Sequence, residues 1–130
     1  MNRREAIKMI FDKLDDEDIA LFTTGMISRE AFGIKDRGMN FYMIGSMGLL
    51  SSVALGIALN TTKKVFIFDG DGSALMDLGT MSMFGAVSPK NLVPIVLDNE
   101  SYLSTGGQPT ISSKMVLLRL SCRKPGRFSV

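Results

Sequence analysis

Apolar positions recur along this chain in two alternating rhythms. From Arg3 to Leu14, residues Ala6, Ile7, Ile10, Phe11 and Leu14 fall at helical spacing, and the acidic run Asp15-Asp16-Glu17-Asp18 ends the segment. Ile19 to Phe22 reads as a short strand. It runs into the turn-like Thr23-Thr24-Gly25, and the next helix is expected to begin near Ser28, with Ser28 as its N-cap. The pattern then repeats. Phe41 to Ile44 reads as a strand and Gly45-Ser46-Met47-Gly48 as a loop; Leu49 to Leu59, apolar on nearly all sides, is expected to be a buried helix. Val65 to Phe68 is a further strand. It stops at Asp69-Gly70-Asp71-Gly72-Ser73, after which Leu75, Met76, Leu78, Met81, Met83 and Phe84 continue at helical spacing. In the last clear strand, Leu92 to Leu97, Pro94 has no backbone donor, which places the paired part after it. Short buried strands alternating with helices predict an α/β fold with a mainly parallel sheet flanked by helices.

Composition narrows what such a domain can do. A length of 130 residues suits one compact domain, and 45% hydrophobic with 22% charged residues is a globular balance rather than a disordered one. A net charge of +2 without any long basic run argues against a nucleic-acid partner. Cys122 is the only cysteine and there is no histidine, which excludes an intramolecular disulfide and a Cys/His zinc site and fits a reducing cytoplasm. No apolar signal region follows the basic N-terminus and no run approaches the length of a membrane span, so neither secretion nor a membrane association is expected. Without histidine, proton transfer must use carboxylates, a cofactor or another chain.

Chemistry is expected where strand-to-helix loops converge, at the carboxyl edge of the parallel sheet. Four loops qualify: Thr23-Thr24-Gly25, Gly45-Ser46-Met47-Gly48, Gly70-Asp71-Gly72-Ser73 and Asp98-Asn99-Glu100-Ser101. Glycines flanking Asp71 let the backbone approach an anion while the carboxylate stays free for a hard cation such as Mg2+. Asn99 offers a second hard oxygen. One helix plus one strand separates it from Asp71, so both reach the same edge, and phosphate oxygens would complete the coordination of Mg2+. A diphosphate ligand follows. Alone, Gly-Asp-Gly is an ordinary surface turn and Asp98-Asn99 an ordinary strand end; their joint occurrence changes the reading. Neither a GxxxxGK[ST] loop nor a GxGxxG fingerprint occurs after a strand, which disfavours a nucleotide-binding domain of another class.

Together, Gly45-Ser46-Met47-Gly48, Gly70-Asp71-Gly72-Ser73 and Asp98-Asn99-Glu100-Ser101-Tyr102 resemble the diphosphate-binding domain of thiamine-diphosphate enzymes, with GDG followed by a downstream asparagine. More narrowly, Thr23 to Glu30, Asn40-Phe41-Tyr42 and Ser104 to Thr110 look like sulfopyruvate and phosphonopyruvate decarboxylases. The resemblance covers residues 1 to about 113. It implies a thiamine-diphosphate and Mg2+-binding domain over 1–113, with Asp71, Asn99 and the Ser101 carbonyl as metal ligands. Gly72 and Ser73, with Thr24 and Gly25, would offer donors to the diphosphate. Met47 would lie under the cofactor and the Gly45 carbonyl would accept from its aminopyrimidine. The family usually has two adjacent asparagines where this chain has Asp98-Asn99, so the ligand role passes to Asn99 alone.

The same resemblance implies that the cofactor carries the decarboxylation and that no catalytic residue lies in this chain. The activating glutamate belongs to a pyrimidine-binding domain, expected here from a separate α-type subunit in a hetero-oligomer, or in a self-associated dimer. Beginning at Met1 with the diphosphate half looks like the two-subunit arrangement of sulfopyruvate decarboxylase, which points to a β-type subunit converting sulfopyruvate to sulfoacetaldehyde and CO2. Phosphonopyruvate decarboxylase, or a truncated cofactor-binding module without activity, are the alternatives. Arg29 and Arg37 are cationic candidates for the substrate, although an exposed arginine is by default a solvated surface residue. Lys114 to Val130, with five Lys/Arg and no acidic residue, reads as an atypical basic tail, either a truncated or frame-shifted ending or a divergent one.

Overall fold

The computed structural model describes residues 2–114. Four strands, β1 (Ile19–Phe22), β2 (Asn40–Tyr42), β3 (Val65–Gly70) and β4 (Leu92–Leu97), form one sheet in the order β2-β1-β3-β4, with every neighbouring pair parallel. Helices α1 (Arg3–Phe11), α2 (Met26–Ile34), α3 (Leu50–Leu59), α4 (Asp71–Met76) and α5 (Leu78–Val87) connect or flank them. A two-residue antiparallel ribbon, β5 (Ser101–Tyr102) with β6 (Gln108–Pro109), follows β4. The α/β class and mainly parallel sheet agree with the apolar pattern.

Alternation of side chains along the strands builds two apolar layers. On one face Ala20, Phe22 and Phe68 meet Ile7 and Phe11 of α1 and Ile27 and Ala31 of α2. Leu21, Val65 and Ile67 point the other way, onto Leu50, Ala54 and Ala58 of α3 and Phe84 of α5. The first layer is aromatic at its centre, where the Phe22 and Phe68 rings stack at 4.7 Å.

Local departures from expectation have physical causes. α1 starts with a capping box, in which Asn2 accepts from the Glu5 amide and Glu5 from the Asn2 amide, and it ends at Phe11 rather than Leu14. Ser28 is not an N-cap: α2 begins at Met26 behind Gly25, and the Ser28 hydroxyl donates instead to the carbonyls of Thr23 at 2.6 Å and Phe22 at 3.3 Å. It thereby ties the helix to the end of β1. Pairing of β4 includes Pro94, which sits opposite Ile67. Among the described residues β4 is the outer strand, and an outer strand tolerates a residue without a donor. The apolar segment after Asp71 breaks into two helices at Asp77, whose carboxylate accepts from the Thr80 amide and hydroxyl and from Ser52 on α3. Finally, α3 is buried along one face only, since Leu49 before it and Leu59 at its end remain 51% and 57% exposed. No described helix is long and apolar enough to cross a membrane.

Candidate functional site

Loops from the ends of β1, β2, β3 and β4 open on one side of the sheet and surround a cavity of about 810 Å3. Thr24, Gly25 and Met47 line it from the β1 and β2 side; Asp71, Gly72 and Ser73 form its floor at the start of α4; Asn99 and Ser101 close the β4 side. Gly45 does not line it. That glycine sits on the exposed rim, beside an Ile44 that is 100% exposed and whose carbonyl accepts from Thr24 Oγ1 at 3.1 Å.

Asp71 is the first helical residue of α4 and only 2% exposed. Its Oδ2 accepts from Thr110 Oγ1 at 2.5 Å and from Ser112 Oγ at 3.2 Å, and the Ser112 hydroxyl lies 2.9 Å from Asp98 Oδ1. Two carboxylates thus share one hydroxyl, an arrangement that a cation would stabilise. Asn99 meets the other side of the Asp71 carboxylate. With its amide oxygen inward, Asn99 Oδ1 lies 3.1 Å from Asp71 Oδ1 and 3.0 Å from the Ser101 carbonyl oxygen, while Nδ2 is 3.1 Å from Ser101 Oγ. Turned over, Nδ2 would donate to both oxygens and no cation would be needed. The 3.0 and 3.1 Å spacings suit either arrangement, and with the amide oxygen inward the three groups can turn their oxygens to one ion. One carboxylate, one amide and one carbonyl form a hard, all-oxygen donor set, which fits Mg2+. The described residues contain no group of three His, Cys, Asp or Glu side chains that could hold a metal instead.

Asp69, the other aspartate of the Asp-Gly-Asp-Gly run, has a different role. It is buried at the end of β3 and does not line the cavity; its Oδ1 accepts from the Gly70 amide at 2.9 Å. Burial pushes its carboxyl up toward the neutral form, against the opposing pull of Ser73, Thr23 and the Gly70 amide. The Ser73 hydroxyl is occupied as well, accepting from the Gly48 amide at 3.1 Å and lying 3.0 Å from Thr23 Oγ1. It links three of the four loops. Any donor Ser73 offers to a ligand is therefore its backbone N–H.

Backbone conformation aims Met47. It lies between Ser46 at φ 56° and Gly48 at φ 97°, and a Cβ on Gly48 would stand 2.8 Å from Met76 Cβ, so only glycine fits there. Gly72 is constrained by its neighbour instead: a Cβ on it would fall 2.3 Å from Tyr102 Cε1. Gly72→Ala should displace the Tyr102 ring from the cavity floor. Overpacking of this kind costs about 1–3 kcal/mol, so the melting temperature should fall by roughly 3–10 °C, read by a thermal melt. An unshifted melt would mean that the ring moves freely.

Several residues in or beside the cavity had no role assigned from sequence. Tyr102, Thr110 and Ser112 belong to the site through tertiary contacts, and so do Asn2, Arg3 and Arg4 of the N-terminal turn. Arg3 donates two hydrogen bonds to Glu30, at 2.9 Å and 2.7 Å, and this guanidinium holds the Glu30 carboxyl below its ordinary range. Neither Arg29 nor Arg37 lines the cavity.

Comparison with known proteins gives the family. Residues 23–121 match the thiamine pyrophosphate enzyme family, C-terminal TPP binding domain, and the chain belongs to that family. It is 46% identical over 112 residues to the sulfopyruvate decarboxylase subunit beta of Methanocaldococcus jannaschii, an overlap of 86% of this chain and 60% of that protein. To the phosphonopyruvate decarboxylase of Streptomyces viridochromogenes it is 45% identical over 115 residues, covering 88% of this chain and 29% of the enzyme. The chain thus spans less than two thirds of the length of these relatives. A solved structure from Mycobacterium smegmatis, described as a thiamin diphosphate-dependent enzyme, superposes with a TM-score of 0.74 at 20% identity, over 95% of this chain and 26% of that one. At that identity the likeness concerns the fold.

Proposed function

We propose that this chain is the diphosphate- and Mg2+-binding half of a thiamine-diphosphate-dependent 2-oxoacid decarboxylase, acting as a β-type subunit that releases CO2 from sulfopyruvate. The meeting of the Asp71 carboxylate, the Asn99 side chain and the Ser101 carbonyl at the carboxyl edge of the sheet, with the Asn99 amide 3.1 Å from Asp71 Oδ1 and 3.0 Å from the Ser101 oxygen, carries the reading. In it these residues hold Mg2+. Backbone N–H groups of Gly72 and Ser73, with Thr24 and Gly25, face the diphosphate; Met47 supports the cofactor from below, and the Gly45 carbonyl accepts from its aminopyrimidine at the rim. When bound, thiamine diphosphate supplies the electron sink that decarboxylation of a 2-oxoacid requires, so the chain itself needs no nucleophile. Its residues bind, orient and neutralise.

Subunit-beta relatives of similar identity support sulfopyruvate as the substrate and an α-type partner as the source of the pyrimidine-binding wall. Phosphonopyruvate is the second reading, favoured by the 45% identity to that decarboxylase. The lone cysteine suits a cytoplasmic setting. Calorimetry tests the core of the proposal: thiamine diphosphate should bind only with Mg2+ present, and NAD or ATP should not compete. Metal-independent binding, or preference for a nucleotide, would overturn it.

A further inference from the structure

Charged residues lining the cavity are Arg3, Arg4, Glu30, Asp71 and Asp98. Their formal sum is −1, from two arginines and three acids. Mg2+ adds two positive charges and a diphosphate about three negative ones, which leaves the filled cavity with an excess of about two negative charges even with both arginines counted. The two arginines are not equivalent. Arg3 is committed to Glu30 through a two-point ion pair. Arg4 has no ion pair among the described residues, although its charge reaches Glu30 and helps hold that carboxyl below its ordinary range.

The turn that carries Arg4 is fixed from two sides. The Asn2–Glu5 capping box closes the first turn of α1, and the Arg3–Glu30 pair ties it to α2, whose start forms the Thr24-Gly25 wall. A cation without a carboxylate partner is thus held at the edge of a cavity that already contains a hard-cation donor set.

We propose that Arg4 is a binding residue for a tetrahedral oxyanion in this cavity, the terminal phosphate of the cofactor diphosphate or the acidic group of a sulfonate or phosphonate substrate. Guanidinium suits this task because its fork of N–H donors matches two oxyanion oxygens at once. The proposal rests on the thiamine-diphosphate reading for its ligand and on Arg4 alone for its contact.

Titration calorimetry of the full chain with Mg2+ tests it, comparing wild type, Arg4→Gln and Arg4→Lys against thiamine diphosphate, thiamine monophosphate and inorganic pyrophosphate. If the terminal phosphate is the partner, Arg4→Gln weakens thiamine diphosphate and pyrophosphate about tenfold, Arg4→Lys restores part of the loss, and the monophosphate changes little. In a second arm, thiamine diphosphate is saturating and 3-sulfopropionate and 3-phosphonopropionate serve as unreactive probes. A loss confined to these two places Arg4 on the substrate acid. Because Arg4 is exposed, all three proteins should melt together, so a binding change reads the contact and not the fold. Unchanged affinity for every probe overturns the proposal. Pyrophosphate binding that depends on Arg4 in a wild-type chain indifferent to thiamine diphosphate keeps the oxyanion site and overturns the cofactor reading instead.

Discussion

Asp71→Ala is expected to lower the affinity for thiamine diphosphate with Mg2+ by at least about 100-fold, since losing even a group that only supports a metal ligand costs 10–100-fold. In the proposed site the carboxylate is the one charged member of the donor set; without it the Asn99 and Ser101 oxygens and the diphosphate would share the ion with water. Alanine also removes the acceptor used by Thr110 and Ser112, so a packing effect has to be separated from a metal effect. Asp71→Asn makes the separation. It keeps an oxygen for Thr110 but no charge, and it ends the like-charge approach to Asp98 across Ser112. The ligand-free Asn variant should therefore melt at or above the wild-type temperature while Mg2+-dependent binding is lost. Wild-type affinity in either variant, read by calorimetry at fixed Mg2+, would remove Asp71 from the metal site.

The parts of this molecule legible from sequence are those governed by local pattern. Strands β1 and β3 are readable because four consecutive apolar residues bounded by turn signals have few other destinations, and the strand-end rule then puts Asp71 and Asn99 on one edge. What escaped depended on partners far away in the chain. Asp77 breaks the segment after Asp71 into two helices by capping Thr80, and its third bond comes from Ser52 on a different helix. Ser28 carries an N-cap side chain, but Gly25 takes the turn and the hydroxyl finds the carbonyls that end β1. Pro94 reads as a reason to shorten β4 because sheet order, which makes that strand the outer one among the described residues, is not a local property. The same holds at the site. Thr110 and Ser112 reach Asp71 from 39 and 41 residues away, and the Arg3–Glu30 pair spans 27.

Purified alone, the chain is expected to release no CO2 from sulfopyruvate or phosphonopyruvate in the presence of thiamine diphosphate and Mg2+, and to become active on addition of an α-type subunit that carries a pyrimidine-binding domain. The argument counts carboxylates. The sequence has four glutamates, Glu5, Glu17, Glu30 and Glu100, and each is accounted for. Glu5 closes the capping box with Asn2, and Glu17 faces Lys63 at 2.6 Å and does not line the cavity. Glu30 lines the cavity but is held by both guanidinium bonds of Arg3. Glu100 has its backbone fixed in the left-handed region, donating to Asp98 and accepting from Thr110, and does not line the cavity. None is placed to activate an aminopyrimidine at the Gly45 rim. That rim is also apolar and open, with Ile44 fully exposed and Met47 and Leu49 exposed beside it, which is the kind of surface a partner covers. Supplying a positioned acid–base group is worth about 10²–10⁴ in rate, so the gain on mixing should be at least about 100-fold in a CO2-release assay. Comparable turnover by the chain alone would mean that Glu30 leaves Arg3 to do the activation, and Glu30→Gln would then abolish it.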